Sequence, residues 1–376
     1  MERHPHGFIW SGWWLASCLI MISTAGTNTS DNHTLTNPPA LFHSTAAKVS
    51  VLCLLLPIPV LAIMGNLLIM AAVARFQSLR TLANAFMVSL AVADLLVATL
   101  VMPFSLVRSI DRWRFGRCFC RVHFLLDVTF CTSSIFNLSC VALDRYIAVC
   151  DPLHYPARMS PRRVTMLLLL CWILPLVFSS LCVSLGMNTQ FLPQSCPAMF
   201  QAPYAFATSA ISFFIPVCFM LFAYGKIFKA ARRQARWIHA IDQQMNQSSM
   251  RTDTSRRVQT RVESHSLKKE QKAVKTLGLI IGVFLLCWLP FFCLNMARPL
   301  KGYSISPLVL EASMWLGYAN SSLNPFLYTL FNKNYRHTFA AMLDCGPLGR
   351  QIRAGLDSSP FSRQAHTVVT LETISR

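Results

Sequence analysis

Seven long apolar runs separated by shorter polar connections organise the chain: roughly Val49–Ala74, Leu82–Leu106, Cys118–Val149, Val164–Gly186, Pro203–Ala230, Ala273–Met296 and Pro307–Phe331. Each reaches the ~20 residues that a helix needs to cross a hydrocarbon layer. The pattern predicts an all-α membrane protein, a seven-transmembrane helix bundle over residues 48–331. Pro57, Pro59, Pro103, Pro175, Pro216, Pro290 and Pro325 interrupt the runs. Membrane helices tolerate such kinks where neighbouring groups satisfy the freed carbonyls. The third run carries an acid near each end, Asp127 and the Asp144-Arg145-Tyr146 cluster. Asp127 and Arg145 are 18 residues apart, about 27 Å at ~1.5 Å rise per residue, close to the thickness of a bilayer core. Charge at membrane depth is costly and points to function.

The remaining segments are polar. Residues 1–26 combine Arg3 with an apolar stretch and a Ser-Thr-Ala-Gly end, the pattern of a cleavable signal peptide. Residues 27–47 are rich in Pro, Asn and Thr and carry the sequons at Asn28 and Asn32, which predicts a glycosylated N-terminal segment. A hydrophilic loop spans about 231–270. Residues 332–345 place basic and apolar positions at helical spacing, predicting a short amphipathic helix on the inner leaflet, with Cys345 a palmitoylation candidate. Residues 346–376 form a tail.

Composition excludes an ordinary soluble protein, with 54% hydrophobic and only 13% charged residues. The net charge of +19 would suit nucleic acid, but its distribution argues against that partner. Basic residues crowd the connections after the first, third, fifth and seventh spans, which by the positive-inside rule face the cytoplasm and leave the N-terminus outside. Arg108, Arg112, Arg114 and Arg117 run against the rule, whereas the sequons agree with it, since they are glycosylated only in the lumen. Of 14 cysteines most lie inside spans. Cys120, at the outer end of the third span, is positioned to pair with Cys196 in an oxidising compartment, and Cys118 is a rival partner.

Asn66, Leu90–Asp94, Asp144-Arg145-Tyr146, Trp172, Pro216, Cys287-Trp288-Leu289-Pro290 and Asn324-Pro325-Phe326-Leu327-Tyr328 fall one element to a span, in order. This ordered set resembles the rhodopsin-like (class A) G-protein-coupled receptors over about residues 48–345. Asp127 together with Trp288, Phe291, Phe292, Trp315 and Tyr318 looks like the aminergic branch. The run Asp144 to Leu153 is most similar to trace-amine-associated receptors, while Phe331-Asn332-Lys333 is closer to some serotonin receptors. The resemblance implies a receptor at the plasma membrane, activated by an amine. The implied partners are a heterotrimeric G protein of the stimulatory class, arrestin and receptor kinases, and the trace-amine likeness implies an olfactory role.

The chemistry of the residues is consistent with that implication. An ammonium needs a carboxylate, here Asp127, and aromatic faces, here Trp288, Phe291, Phe292, Trp315 and Tyr318, each cation–π contact contributing about 0.5–2 kcal/mol. The same aromatics are also ordinary packing groups of membrane helices. Glu311 precedes Tyr318 by seven residues, two turns or about 10 Å on the same helix face. It would serve as a second anion for a diamine or polyamine, or simply as a first-turn acid favoured by the helix dipole. Thr208 and Ser212 share a face of the fifth span and would instead hold the hydroxyl of a monoamine such as serotonin or a catecholamine. Asp94 with Asn66, Ser134, Asn320 and Asn324 forms a polar cluster able to hold water or Na⁺. At the inner end, the resemblance implies a switch in which Arg145 pairs with Asp144 and Glu270, with Tyr146, Tyr224 and Tyr328 supporting it.

Two other classes compete. A cation transporter could use Asp94 and Asp127, but no internal repeat is visible. No HExxH or GxSxG motif and no His–carboxylate cluster at metal-ligand spacing supports an enzyme or a metal centre.

Overall fold

The computed structural model describes residues 44–111, 113–186, 196, 201–247, 278–301, 305–331 and residues 335, 336, 338, 339 and 342. The signal peptide, both sequons, Glu270, Cys345 and the tail expected from sequence lie outside the described residues, as does most of the amphipathic helix.

Among the described residues every element is helical. Six helices are long and apolar enough to cross a membrane: α1 Thr45–Arg75, α2 Leu82–Ile110, α3 Gly116–Cys150, α4 Pro161–Leu185, α5 Ala202–Arg233 and α6 Gly278–Leu300. The seventh, α7 Pro307–Phe331, has 25 residues, which at ~1.5 Å each span about 37 Å. It is less apolar because its inner face carries Asn320, Ser321 and Asn324, all buried.

Burial follows from position in the bundle. α3 packs against α2, α4 and α5, and its apolar window is 61% buried, against 28% for α4 and 22% for α1. Leu169, Ile173, Leu174 and Val177 of α4 are about half exposed, the apolar surface a helix presents to lipid rather than to water. α1 packs along α7. A Cβ on Gly65 would lie 2.6 Å from Cγ of Pro325, so only glycine permits this approach of the two backbones. Trp172 of α4 donates its Nε1–H to Ser89 of α2 over 3.0 Å, tying the outer layer to the inner one.

Two of the prolines alter the local helix. The turns Val97–Val101 and Ala210–Phe214 are π-helical, and Pro103 and Pro216 follow each within two residues. Proline lacks an N–H and its ring crowds the carbonyl four residues back, so a widened turn relieves both problems. Each extra residue rotates the rest of the helix about its axis, a change that apolar periodicity does not reveal.

Cys120 and Cys196 are disulfide bonded, with Cα atoms 5.8 Å apart. Cys118 is a free, exposed thiol. Cys196 is buried and packs in one apolar cluster with Trp113 and Phe124.

Candidate functional site

Below the disulfide, α3, α5, α6 and α7 surround a cavity of about 680 Å³, a volume that includes its opening to solvent. This lies in the range of small-molecule sites, ~300–1,000 Å³. Asp127 lines it from α3. Tyr318 of α7 donates to Asp127 Oδ2 over 2.9 Å, and the Cys131 thiol reaches Oδ1 at 3.3 Å. Cys131 is one turn along the same helix, so the carboxylate is held from below and from across the bundle. Behind Tyr318 the chain of contacts continues to Ser105 (3.3 Å) and from Ser105 to His123 Nε2 (3.2 Å). No Lys or Arg of the described residues forms an ion pair with Asp127.

The aromatic floor comes from α6. Trp288, Phe291 and Phe292 line the cavity, and Trp288 meets Tyr318 edge-on at 6.4 Å between centroids. Phe292 stacks on Phe213 of α5 at 4.5 Å. Gly317 allows the arrangement, since a Cβ there would fall 2.6 Å from the Trp288 ring. Trp315 stands behind the wall: it contacts Tyr318 edge-on at 5.5 Å and donates to Ser109 over 3.0 Å. Its expected place in the cage therefore becomes support of Tyr318.

The far wall is polar. Thr208 and Ser212 both line the cavity, with Thr132 and Asn295. Thr132 donates to Ser212 over 2.9 Å, and Thr208 returns its hydroxyl to the Ala205 carbonyl at 3.0 Å. Ser209 instead faces Asn295 at 2.9 Å.

Glu311 does not line the cavity. Its Oε1 lies 3.2 Å from Arg108 Nε, and its Oε2 accepts from Ser109 at 3.0 Å. Of the two readings the sequence leaves for this position, second anion or first-turn acid, the former meets a carboxylate already engaged by a cation of the protein itself. Apolar periodicity could not reveal this pairing, because Arg108 sits at the end of a different span.

Deeper in the bundle, Asp94 is fully buried. Ser134 and Ser321 donate to its Oδ1 at 2.9 and 2.8 Å, and Asn324 to its Oδ2 at 2.7 Å. Asn66 joins indirectly, through the Ser321 carbonyl at 3.0 Å. Asn320 is buried nearby but gives no bond to Asp94. Asn66 Oδ1 and Asn137 Oδ1 are buried acceptors with no hydrogen-bond donor among the described residues.

At the opposite end of α3, Arg145 pairs with Asp144 at 2.8 Å. Tyr155, which sequence reasoning missed, donates to the same carboxylate over 2.7 Å. Burial, then Asp144, push its phenol up to about 12. Asp151 binds His154 at 2.7 Å and Arg158 at 3.2 Å, and the His154 bond leads in holding its carboxyl below the usual range. Tyr146 is half-buried, and Tyr224 packs against Gly278 of α6. Tyr328 is buried with no partner for its hydroxyl and lies 6.2 Å from Tyr335.

Residues 65–328 match the model of the family described as 7 transmembrane receptor (rhodopsin family). The chain is 40% identical to 5-hydroxytryptamine receptor 4 of Homo sapiens over 315 residues, covering 79% of this chain and 80% of that receptor. It is 36% identical to trace amine-associated receptor 365 of Petromyzon marinus over 309 residues, 80% of this chain and 81% of that receptor. It is 37% identical to the histamine H2 receptor of Homo sapiens over 311 residues, with 80% and 81% covered.

Proposed function

Since the chain belongs to the rhodopsin family of seven-transmembrane receptors, we propose that it senses a protonated amine outside the cell and activates a heterotrimeric G protein inside. One observation carries this reading. Asp127 lines the cavity without a direct ion pair to any Lys or Arg of the described residues, while its oxygens are held by Tyr318 and Cys131. A buried carboxylate in that state favours a cation from the medium, because its own desolvation is then offset by a pair. Trp288, Phe291 and Phe292 present π faces to the same charge. Similarity to receptors named for serotonin, histamine and trace amines supports the ligand class.

The polar wall favours an aromatic or heteroaromatic monoamine. Its nitrogen sits on Asp127, its ring lies over Trp288 and Phe292, and a hydroxyl or ring N–H meets Thr208, Ser212 or Asn295. Asp94, with Ser134, Ser321 and the nearby Asn66, would hold a sodium ion. The N-terminus lies outside and the Arg145 end faces the cytoplasm at the plasma membrane. There Arg145 is held by Asp144 until α6 moves, freeing a cleft in which Tyr224 and Tyr328 face the partner. Glu270 would add a second restraint on Arg145. The likeness to trace-amine receptors favours a stimulatory G protein, with receptor kinases and arrestin acting on the tail. Ligand can shift this equilibrium only by its differential affinity for the two states.

The reading is tested with purified receptor in lipid nanodiscs, added heterotrimeric G protein and a panel of aromatic amines. Amine-stimulated nucleotide exchange is expected. Accumulation of radiolabelled amine in proteoliposomes, without exchange, would establish a transporter instead.

A further inference from the structure

Arg108 is a buried cation close to the amine cavity. Its side chain is 8% exposed, against 21% for Glu311. The guanidinium lies 5.3 Å from the ring centroid of Phe124, and its Nη2 is 2.9 Å from Met314 Sδ. Phe124 and Met314 both line the cavity, so the positive charge stands one side chain behind the wall that Asp127 shares. Nε and Nη1 of this guanidinium are buried and make no hydrogen bond. The carboxylate that compensates this charge is Glu311, whose Oε1 lies 3.2 Å from Nε.

Glu311 is committed on both oxygens, Oε1 to Arg108 and Oε2 to Ser109, and Ser109 is itself fixed by Trp315. Two acids thus lie near Arg108 in different states: Glu311 is in a direct ion pair with it, whereas Asp127 feels its charge only at longer range. A ligand with two ammonium groups would have to seat the second one against a buried guanidinium, or pull Glu311 off it and strand Arg108. Either route leaves an unpaired buried charge, the costliest outcome for such groups.

Resting on the amine reading above, we propose that Arg108 is the specificity-determining residue of the cavity: by occupying Glu311 it converts a two-carboxylate site into one that accepts a single positive charge and rejects diamines. Pairs of probes that differ only in the second charge test this directly, 1,5-diaminopentane against pentylamine and 1,8-diaminooctane against octylamine. The longer pair spans the separation of about 10 Å that two helical turns place between Glu311 and Tyr318.

Potency in nucleotide exchange and thermal shift of the purified receptor are both read. In the wild type the monoamine of each pair is expected to be at least tenfold the more potent. In Arg108→Met the diamine-to-monoamine potency ratio should rise at least tenfold, because Glu311 is released. In Arg108→Met with Glu311→Gln the ratio should return toward that of the wild type, because the second ammonium then meets no anion. Where Arg108→Met fails to reach the surface, Arg108→Gln carries the same expectation. Diamines matching their monoamines in the wild type, or a ratio unmoved in the Arg108 variants, would overturn the proposal alone. A receptor deaf to every amine tested would remove the underlying reading and this inference with it.

Discussion

Replacing Asp127 with Asn removes one charge and little else. The side chain keeps its shape, Tyr318 can still donate over the present 2.9 Å, and the cavity volume is unchanged. What is lost is the attraction between carboxylate and ammonium. At ~4 Å separation this is about 4 kcal/mol for an effective dielectric near 20, and breaking a buried pair by removing one partner costs about 3–5 kcal/mol. With ~1.4 kcal/mol for each tenfold, agonist potency should fall about 100- to 4,000-fold. The measurement is a concentration–response curve for nucleotide exchange with an agonist from the aromatic amine panel, normalised to receptor at the surface. Tyr318→Phe provides the internal scale. It deletes one hydrogen bond to a charged group, about 1.5–3 kcal/mol, and should cost about 10- to 100-fold. A loss below tenfold for Asp127→Asn, or a larger loss for Tyr318→Phe, would refute the ion-pair argument and leave the ligand of this cavity unidentified.

Three further outcomes follow from geometry elsewhere. Gly65→Val should destabilise the bundle by about 1–3 kcal/mol through overpacking, since a Cβ there meets Pro325 at 2.6 Å; thermal unfolding in nanodiscs reads it, and an unchanged midpoint would deny the close contact of α1 and α7. Cys196→Ser should lower stability by about 2–5 kcal/mol and make the protein insensitive to reductant, whereas Cys118→Ser should do neither, as Cys118 is free and exposed. Asp144→Asn removes the 2.8 Å pair that holds Arg145, so nucleotide exchange without agonist should rise several-fold; unchanged basal exchange would show that the pair does not restrain the switch.

Local chemistry determined a large part of this molecule. Runs of about twenty apolar residues require membrane helices, because only a structure that satisfies its own backbone bonds persists in hydrocarbon. Seven such runs with a family motif in each predict the bundle, and an acid at position 127 within the third marks the place where the cavity is lined by a carboxylate. Spacing of one turn also related Thr208 to Ser212 on one helix face, since helical period is a local property.

Pairings between spans were decided only in three dimensions. Whether Cys118 or Cys120 met Cys196 depended on which thiol faced it, and the structure pairs Cys120. From sequence Glu311 is open to two readings, a second anion or a first-turn acid, because its partner, Arg108, is 203 residues away by the difference of their numbers and joins it only when α2 packs beside α7. Trp315 read as part of the cage but stands behind it, and the π turns before Pro103 and Pro216 rotate their helices by an amount no periodicity records. Sequence fixes what charge each residue carries and how it repeats along one helix. The partner that neutralises a buried charge is chosen by packing between helices, as Arg108 of α2 is for Glu311 of α7.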